Sequence, residues 1–236
     1  VSVFQFQQFI IKQADSAMKV GTDAVILGSS TPLSTSIKSI LDIGSGTGVL
    51  SLMMAQRATK TQITAIEIDE AAAEESYYNF KNSPFSNRLR SLHTSLDSYL
   101  SMSSSTFDLI VCNPPFFEDS QAEGSRKKAR DSKTLPAEEL FKAVNQLLKN
   151  EGQFSLITPY LDEEKIIKIA SQQDLYPFQV LRVRGRKKSK IVRSVLHFKR
   201  GSQNLVSNEL FIELYNRHEY SNEYLKLVED FLYLKK

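Results

Sequence analysis

Leu41-Asp42-Ile43-Gly44-Ser45-Gly46-Thr47-Gly48 closes an apolar run with a glycine turn, and residues 49–58 after it carry helically spaced apolar positions. A strand at 37–43, a turn at 44–48 and a helix at 49–58 form the opening unit of an α/β sheet. Glycines let the backbone turn sharply and approach a ligand closely, and the next helix starts with N–H groups that lack intrahelical partners. The spacing is Gly-x-Gly-x-Gly, so Gly44, Gly46 and Gly48 mark a nucleoside-type cofactor turn of a kind that nicotinamide and flavin domains also use.

Working outward, strands and helices alternate. Strands are predicted at 62–67, 89–93, 107–112 and 154–158, with helices at 70–82, 135–150 and 161–173. Pro136, Glu138 and Glu139 suit the first turn of the 135–150 helix, and Gly152 is its expected stop. Strands at 178–183 and 192–198, joined by a basic loop, complete the pattern. It predicts an α/β fold: a Rossmann-like, doubly wound, mainly parallel seven-stranded sheet ending in an antiparallel hairpin. Residues 3–11 read as a short strand or hairpin, and Gly21-Thr22-Asp23 caps a short helix that Thr31-Pro32 breaks. In the tail, 210–214 reads as a strand and 222–234 as an amphipathic helix. Residues 101–105 read as a serine-rich loop. One domain is expected over 1–236, with an N-terminal segment at 1–33, a core at 37–199 and an extension at 200–236.

Composition sets bounds. The 236 residues are 24% charged and 41% hydrophobic, which is ordinary for a globular chain. No apolar run approaches the length that spans a bilayer, so no membrane association and a cytoplasmic setting are expected. A single cysteine, Cys112, leaves no internal disulfide and no multi-cysteine zinc site. His93, His197 and His218 are scattered without metal-ligand spacing, so no metal is expected. The net charge of +3 identifies no partner, but its distribution is uneven. Arg182, Arg184, Arg186, Lys187, Lys188, Lys190 and Arg193 form one cluster without an acidic residue among them. Arg126, Lys127, Lys128 and Arg130 form another. Such clusters suit a polyanion, although a solvated loop gives the same pattern.

Glu67 ends the second strand, where a carboxylate can accept both hydroxyls of a ribose; Asp69 suits a helix cap. Two details favour S-adenosyl-L-methionine over a dinucleotide. Asp42 stands just before the glycines, where a carboxylate can organise the turn and face a cationic amino-acid end. The expected terminal hairpin is also something a dinucleotide domain does not need.

Asn113-Pro114-Pro115-Phe116 follows the strand 107–112 directly. An adenine N6 amine is a poor nucleophile, because its lone pair is delocalised into the ring. A site that accepts hydrogen bonds from both amine hydrogens localises that pair. Asn113 offers a side-chain carbonyl, Pro114 a backbone carbonyl, and the prolines stiffen the turn that carries them. Phe116 can stack on the base, which contributes about 1–3 kcal/mol. Asn-Pro is also an ordinary turn starter, so the motif draws its weight from the cofactor turn before it.

These residues resemble class I S-adenosylmethionine-dependent methyltransferases of the amino-methylating group marked by Asn-Pro-Pro-Tyr/Phe. More closely, the chain resembles the bacterial tRNA1(Val) adenine-37 N6-methyltransferases. Phe4-Gln5-Phe6, Gln7-Gln8-Phe9 and Ala17-Met18-Lys19-Val20-Gly21-Thr22-Asp23-Ala24-Val25 are similar to that family's N-terminal signature. Asn79-Phe80, Asn82-Ser83-Pro84 and Ala129-Arg130 are similar too, and Tyr220-Ser221, Glu223-Tyr224 and Asp230-Phe231-Leu232-Tyr233-Leu234 less specifically. The resemblance implies that Lys19, Gly21, Thr22 and Asp23 close over the methionine end of the cofactor, with Glu67 on its ribose and Asn113 also facing it. Two positions depart from the pattern. Ser95 stands where the family usually has an acidic residue for the cofactor's adenine amine, with Asp97 as the alternative, and Phe116 replaces the commoner Tyr.

The same acceptor turn resembles those of enzymes acting on a release-factor glutamine amide, on guanine N2 of ribosomal RNA or on DNA adenine. Both basic clusters, with Arg184, Arg186, Lys187, Lys188, Lys190 and Arg193 in the larger, favour nucleic acid. An adenine in an anticodon loop is already largely unpaired, so tRNA is the expected partner. A catalytically silent RNA-binding module is the reading from another class; the pairing of the glycine turn with Asn113 argues against it. Oligomeric state stays open, with a monomer favoured.

Overall fold

The computed structural model describes residues 2–14, 16, 18–114 and 135–234. The chain opens with a hairpin, β1 (Val3–Gln5) antiparallel to β2 (Ile10–Lys12), in which Phe4 lies opposite Ile11. Helix α1 (Thr22–Ser30) follows. Strand and helix then alternate through β3 (Ser39–Ile43), α2 (Val49–Arg57), β4 (Gln62–Glu67), α3 (Glu70–Lys81), β5 (Leu89–His93), α4 (Leu96–Met102) and β6 (Phe107–Cys112). After the acceptor turn come α5 (Ala137–Leu147), β7 (Leu148–Pro159), α6 (Glu163–Ser171), β8 (Leu175–Arg186), β9 (Ile191–Arg200), β10 (Val206–Glu213) and α7 (Asn222–Val228).

Among the described residues, eight strands form one sheet in the order β10-β8-β9-β7-β6-β3-β4-β5. β3 to β7 are mutually parallel, and β9 runs antiparallel to both β7 and β8. The period-two alternation of side chains along each strand sorts the core into two faces. Ile40, Ile63, Leu109, Val111, Ile157 and Val195 pack under α1 and α2, together with Phe6, Phe9 and Phe231 from the two ends of the chain. Leu41, Ile43, Ile110, Phe154, Leu156 and Phe198 pack against α5 and α6, where Phe141 meets Phe154 and Phe198 edge-on at 5.3 Å. Each fully buried aliphatic or aromatic side chain contributes about 1.5–3 kcal/mol, so both faces are needed to hold the sheet.

The mainly parallel Rossmann-like sheet is as expected, but its strand number is eight rather than seven. The added strand is β10, which lies parallel to β8 and makes the edge, so the β8–β9 hairpin is covered rather than terminal. Helix α5 stops at Leu147, short of the predicted 150, and the chain passes straight into β7. Arg200 of β9 explains the early stop: its Nη2 donates to the Asn145 carbonyl at 2.6 Å and the Leu148 carbonyl at 3.1 Å. Gly152 therefore ends no helix; it lies inside β7. Helix α4 has no counterpart in the sequence reading, although Ser95 caps it by accepting from the Ser98 N–H at 3.1 Å. The tail helix is shorter than predicted, ending at Val228. Phe231 beyond it is core, whereas Tyr233 is 69% exposed.

Candidate active site

The ends of four parallel strands meet at one edge of the sheet. Ile43 of β3 pairs with Cys112 of β6 on one side and Ile66 of β4 on the other. Gly44 and Asn113 each follow one of these paired residues, so the two turns start about one strand spacing apart, roughly 5 Å. β3 connects to β4 on one side while β6 returns on its other side. This is the topological switch point, where open α/β sheets form their ligand crevice.

The glycine turn needs its glycines. Gly44, Gly46 and Gly48 have φ of 69°, 53° and 80°, in the left-handed region that side chains resist. A Cβ on Gly48 would also lie 2.4 Å from Cε1 of Phe80, so α2 and α3 depend on its absence to pack closely. The turn is tied to β4: the Gly44 and Ser45 N–H groups donate to the Ile66 carbonyl at 2.9 and 3.1 Å.

Asp42 is fully buried. Its Oδ2 accepts from the Ser51 N–H at 3.1 Å and the Ser51 hydroxyl at 2.7 Å, which fixes the first turn of α2 to the strand. Burial pushes its carboxyl up to about 7, the Ser51 bonds lower it and the charge of Glu67 raises it further. At the end of β4, Glu67 accepts from the Gly46 N–H at 2.8 Å and the Asp69 N–H at 2.9 Å. Asp69 caps α3 by accepting from the Ala72 N–H at 3.1 Å.

Asn113 leaves β6 half-buried with its Oδ1 buried and without a hydrogen-bond partner among the described residues, and Pro114 behind it is buried. Asp42 Oδ1, Ser45 Oγ and Thr158 Oγ1 are buried without partners as well. Buried polar atoms are nearly always satisfied, so these four, carried by β3, the glycine turn, the Asn113 turn and the end of β7, are candidate ligand contacts. Phe116 and the cluster Arg126, Lys127, Lys128 and Arg130 lie outside the described residues. Cys112 is buried in the core, which pushes its thiol up beyond any reactive range.

Two residues that the sequence reading assigned no role hold the N-terminal segment against this edge. Glu75, almost fully buried on α3, accepts from the Ala14 N–H at 2.7 Å, the Ser16 N–H at 3.0 Å and the Ser16 hydroxyl at 2.5 Å. One helical turn on, Asn79 bonds both β2 and the glycine turn. The available signal was two polar residues, spaced i and i+4, on the helix face that also carries Ala72, Ser76 and Phe80. Within the segment, Gln13 Oε1 accepts from the Val20 N–H at 2.8 Å. Lys19 is exposed, Gly21 caps α1 and Thr22 begins it. Asp23 accepts from Arg193 Nε of β9 at 2.9 Å, so one residue read as cofactor-facing is paired with one read as RNA-facing.

The basic region is a ribbon rather than a loop: Arg182, Arg184 and Arg186 lie on β8, Arg193 lies on β9, and the turn between holds Lys187, Lys188 and Lys190. Of the two candidates for the cofactor's adenine, Ser95 caps α4 and Asp97 is exposed in its first turn. Buried His197 bonds Ser155 Oγ at 2.8 Å, and burial, helped by the charge of Arg57, lowers it to about 3. Among the described residues no group of three or more His, Cys, Asp or Glu could hold a metal ion, and no helix is long and apolar enough to cross a membrane.

Comparison with known proteins agrees with this geometry. Residues 16–169 match the family model of the methyltransferase small domain, which places the chain among the methyltransferases. The tRNA1(Val) (adenine(37)-N6)-methyltransferase of Flavobacterium psychrophilum is 46% identical over 99% of this chain and 100% of its own length. The enzyme of the same name from Flavobacterium johnsoniae is 43% identical over 99% and 100%. The crystal structure of a predicted O-methyltransferase from Agrobacterium tumefaciens shares the fold, with a TM-score of 0.72 over 89% of this chain and 96% of that one, at 19% identity. The chain belongs to the tRNA1(Val) (adenine(37)-N6)-methyltransferase family.

Proposed function

We propose that this protein uses S-adenosyl-L-methionine to methylate the N6 amine of an adenine in tRNA, at position 37 in the anticodon loop of tRNA1(Val). The observation that carries the reading is the buried, unpartnered Oδ1 of Asn113 one residue past a strand pair that it shares with the glycine turn. A carbonyl oxygen there accepts from an amine N–H, and the Pro114 carbonyl supplies the second acceptor. No strong base is needed, because the nitrogen becomes acidic as it is alkylated.

The residues present fit the cofactor. S-adenosylmethionine, when bound, supplies an electrophilic methyl group on a cationic sulfur. Gly44, Gly46 and Gly48 bring backbone close to it, Glu67 accepts from its ribose, and Asp42 Oδ1 offers a buried acceptor on the side of a cationic amino-acid end. Lys19, Gly21, Thr22 and Asp23 close the methionine side, with Ser95 or Asp97 beside the adenine. Phe116 stacks on the target base. The RNA-facing set is Lys187, Lys188 and Lys190, with Arg184, Arg186 and Arg193 beside them and Arg126, Lys127, Lys128 and Arg130 as the second patch.

Residues 1–236 act as one unit in this reading, with 1–33 and 200–236 flanking a core at 37–199. In support, the Gln7 side chain donates to the carbonyls of Glu229 and Leu232 at 2.6 and 2.9 Å, joining the two ends. The working form is a monomer in the cytoplasm, where tRNA is modified. The test is transfer of labelled methyl groups into separated tRNA, ribosomal RNA, DNA and protein. N6-methyladenosine in the tRNA fraction is expected, and label confined to protein would overturn the reading.

A further inference from the structure

The positive charge of the basic ribbon is concentrated at its tip. Along the strands, four arginines of the ribbon have a carboxylate each: Arg182 pairs with Glu163 at 2.6 Å, Arg184 with Glu209 at 2.9 Å, Arg186 with Glu213 at 3.3 Å and Arg193 with Asp23 at 2.9 Å. Lys187, Lys188 and Lys190 form no ion pair among the described residues. At long range these four pairs are close to neutral, and toward the tip the turn carries the unbalanced charge.

An aromatic ring stands at that turn. The Lys187 N–H donates to the carbonyls of Glu213 and Leu214 at 3.2 and 3.3 Å, which holds the loop after β10 against the tip. Tyr215 in that loop is 56% exposed, and its ring centre lies 5.9 Å from Lys187 Nζ and 5.8 Å from Lys188 Nζ. Arg217 follows two residues later. A half-exposed ring flanked by ammonium groups has the composition of a nucleotide-stacking platform, with a π-face for a base and cations for the phosphates beside it.

Topology sets where the platform lies. β7 is parallel to β6, β9 antiparallel to β7, β8 antiparallel to β9, and β10 parallel to β8. The ends of β8 and β10 therefore share the edge of the sheet that carries Asn113. Three strand spacings separate β6 from β8 and four separate it from β10, roughly 15–20 Å across the strands. The register Cys112–Leu156–Leu196–Val180 also carries the tip at Lys187 roughly 20 Å further along the strand direction than Asn113, so the two lie on the order of 25 Å apart. Several nucleotides of single strand cover that span.

We propose that Tyr215, with Lys187, Lys188, Lys190 and Arg217, binds an unpaired nucleotide of the RNA substrate several positions from the methylated base. The base stacks on Tyr215, and its flanking phosphates meet the cations. This rests on the tRNA reading above and adds a second contact site to it.

The test is steady-state methyl transfer into tRNA by the wild type, Tyr215→Ala, Tyr215→Phe and a Lys187→Gln/Lys188→Gln/Lys190→Gln variant, with S-adenosylmethionine affinity measured for each. Tyr215→Ala should raise KM for tRNA about tenfold, in line with the loss of one stacked base, with kcat and cofactor affinity little changed. Tyr215→Phe should restore KM, because the ring does the binding. The lysine variant should raise KM and also flatten its dependence on salt, which Tyr215→Ala should leave steep. A Tyr215→Ala enzyme with wild-type KM, where the wild type methylates tRNA, would overturn the platform and leave the activity standing. A wild type that methylates no RNA would instead remove the activity and the platform with it.

Discussion

Asn79 accepts a hydrogen bond from the Lys12 N–H at 2.8 Å and returns one to the Lys12 carbonyl at 2.9 Å, pairing with that residue as a strand neighbour would. Its remaining N–H donates to the carbonyl of Thr47 at 2.9 Å, inside the glycine turn. One side chain on α3 thus ties the N-terminal hairpin to the cofactor turn and uses both of its N–H donors and its carbonyl oxygen doing so. Glu75 adds three bonds to the same segment one turn earlier.

Asn79→Ala should therefore act on both stability and cofactor binding. Leaving these backbone groups without their partner costs about 1–3 kcal/mol, and for a chain of this size each kcal/mol lowers Tm by roughly 2–4 °C. Cofactor affinity should fall with it, since Thr47 loses its anchor, while the rate at saturating cofactor falls less. Calorimetry and equilibrium binding measure the two effects. A lowered Tm with unchanged cofactor affinity would make Asn79 a packing residue alone.

Asn113→Ala removes an acceptor that matters when the amine is alkylated. Methyl transfer in single turnovers should drop by about 100-fold or more, the scale seen when one preorganised polar group is lost from a reacting centre. Cofactor affinity should stay within a few-fold of wild type, because the glycine turn and Glu67 remain. If cofactor affinity collapsed instead, Asn113 would belong to the cofactor site and not to the acceptor.

How far the sequence revealed this site depends on the range of the interaction. β4, β5 and β6 fall where apolar runs and turn residues put them, since those signals are local. The glycine turn and the Asn113 turn were legible for the same reason. The basic ribbon was not. It reads as a cluster without acids because its carboxylates come from Glu163, Glu209, Glu213 and Asp23, which are 19, 25, 27 and 170 residues away in the chain. Tyr215 likewise becomes a neighbour of Lys187 only when β10 adds to the sheet. Strand β10 itself is exposed over its first four residues, so the apolar signal marked only its later part, as the strand read at 210–214, and not its pairing with β8.

Gly48→Ala should be among the most damaging single substitutions. The position has φ of 80°, and the new Cβ would sit 2.4 Å from the Phe80 ring. Left-handed strain costs about 1–2 kcal/mol before any clash, and overpacking adds about 1–3 kcal/mol. Adding Phe80→Leu should recover part of the clash and none of the strain. Urea denaturation of the two variants separates these contributions; full recovery in the double variant would show that φ at Gly48 is not strained for alanine.

Asp42 makes stability depend on pH in an unusual direction. Its folded carboxyl titrates near 7 and the ordinary value is 3.8. Below about pH 4 both states hold the proton, and the group contributes nothing. As pH rises from 4 to 7, the unfolded chain ionises while the folded one keeps its proton, so the unfolded state is favoured by up to about 1.4 kcal/mol per pH unit. Above 7 both are ionised, and the loss, on the order of a few kcal/mol, stays constant. Asp42→Asn cannot titrate and still offers Ser51 a carbonyl acceptor. Its stability relative to wild type should therefore increase between pH 4 and 7 and level off above, as read from urea midpoints across that range. The same ionisation supplies the negative charge that a cationic amino-acid end would meet, so wild-type cofactor affinity should strengthen as pH rises through 7 and Asp42→Asn should lose that dependence. Parallel stability curves for the two proteins would mean that Asp42 is already ionised in the folded state.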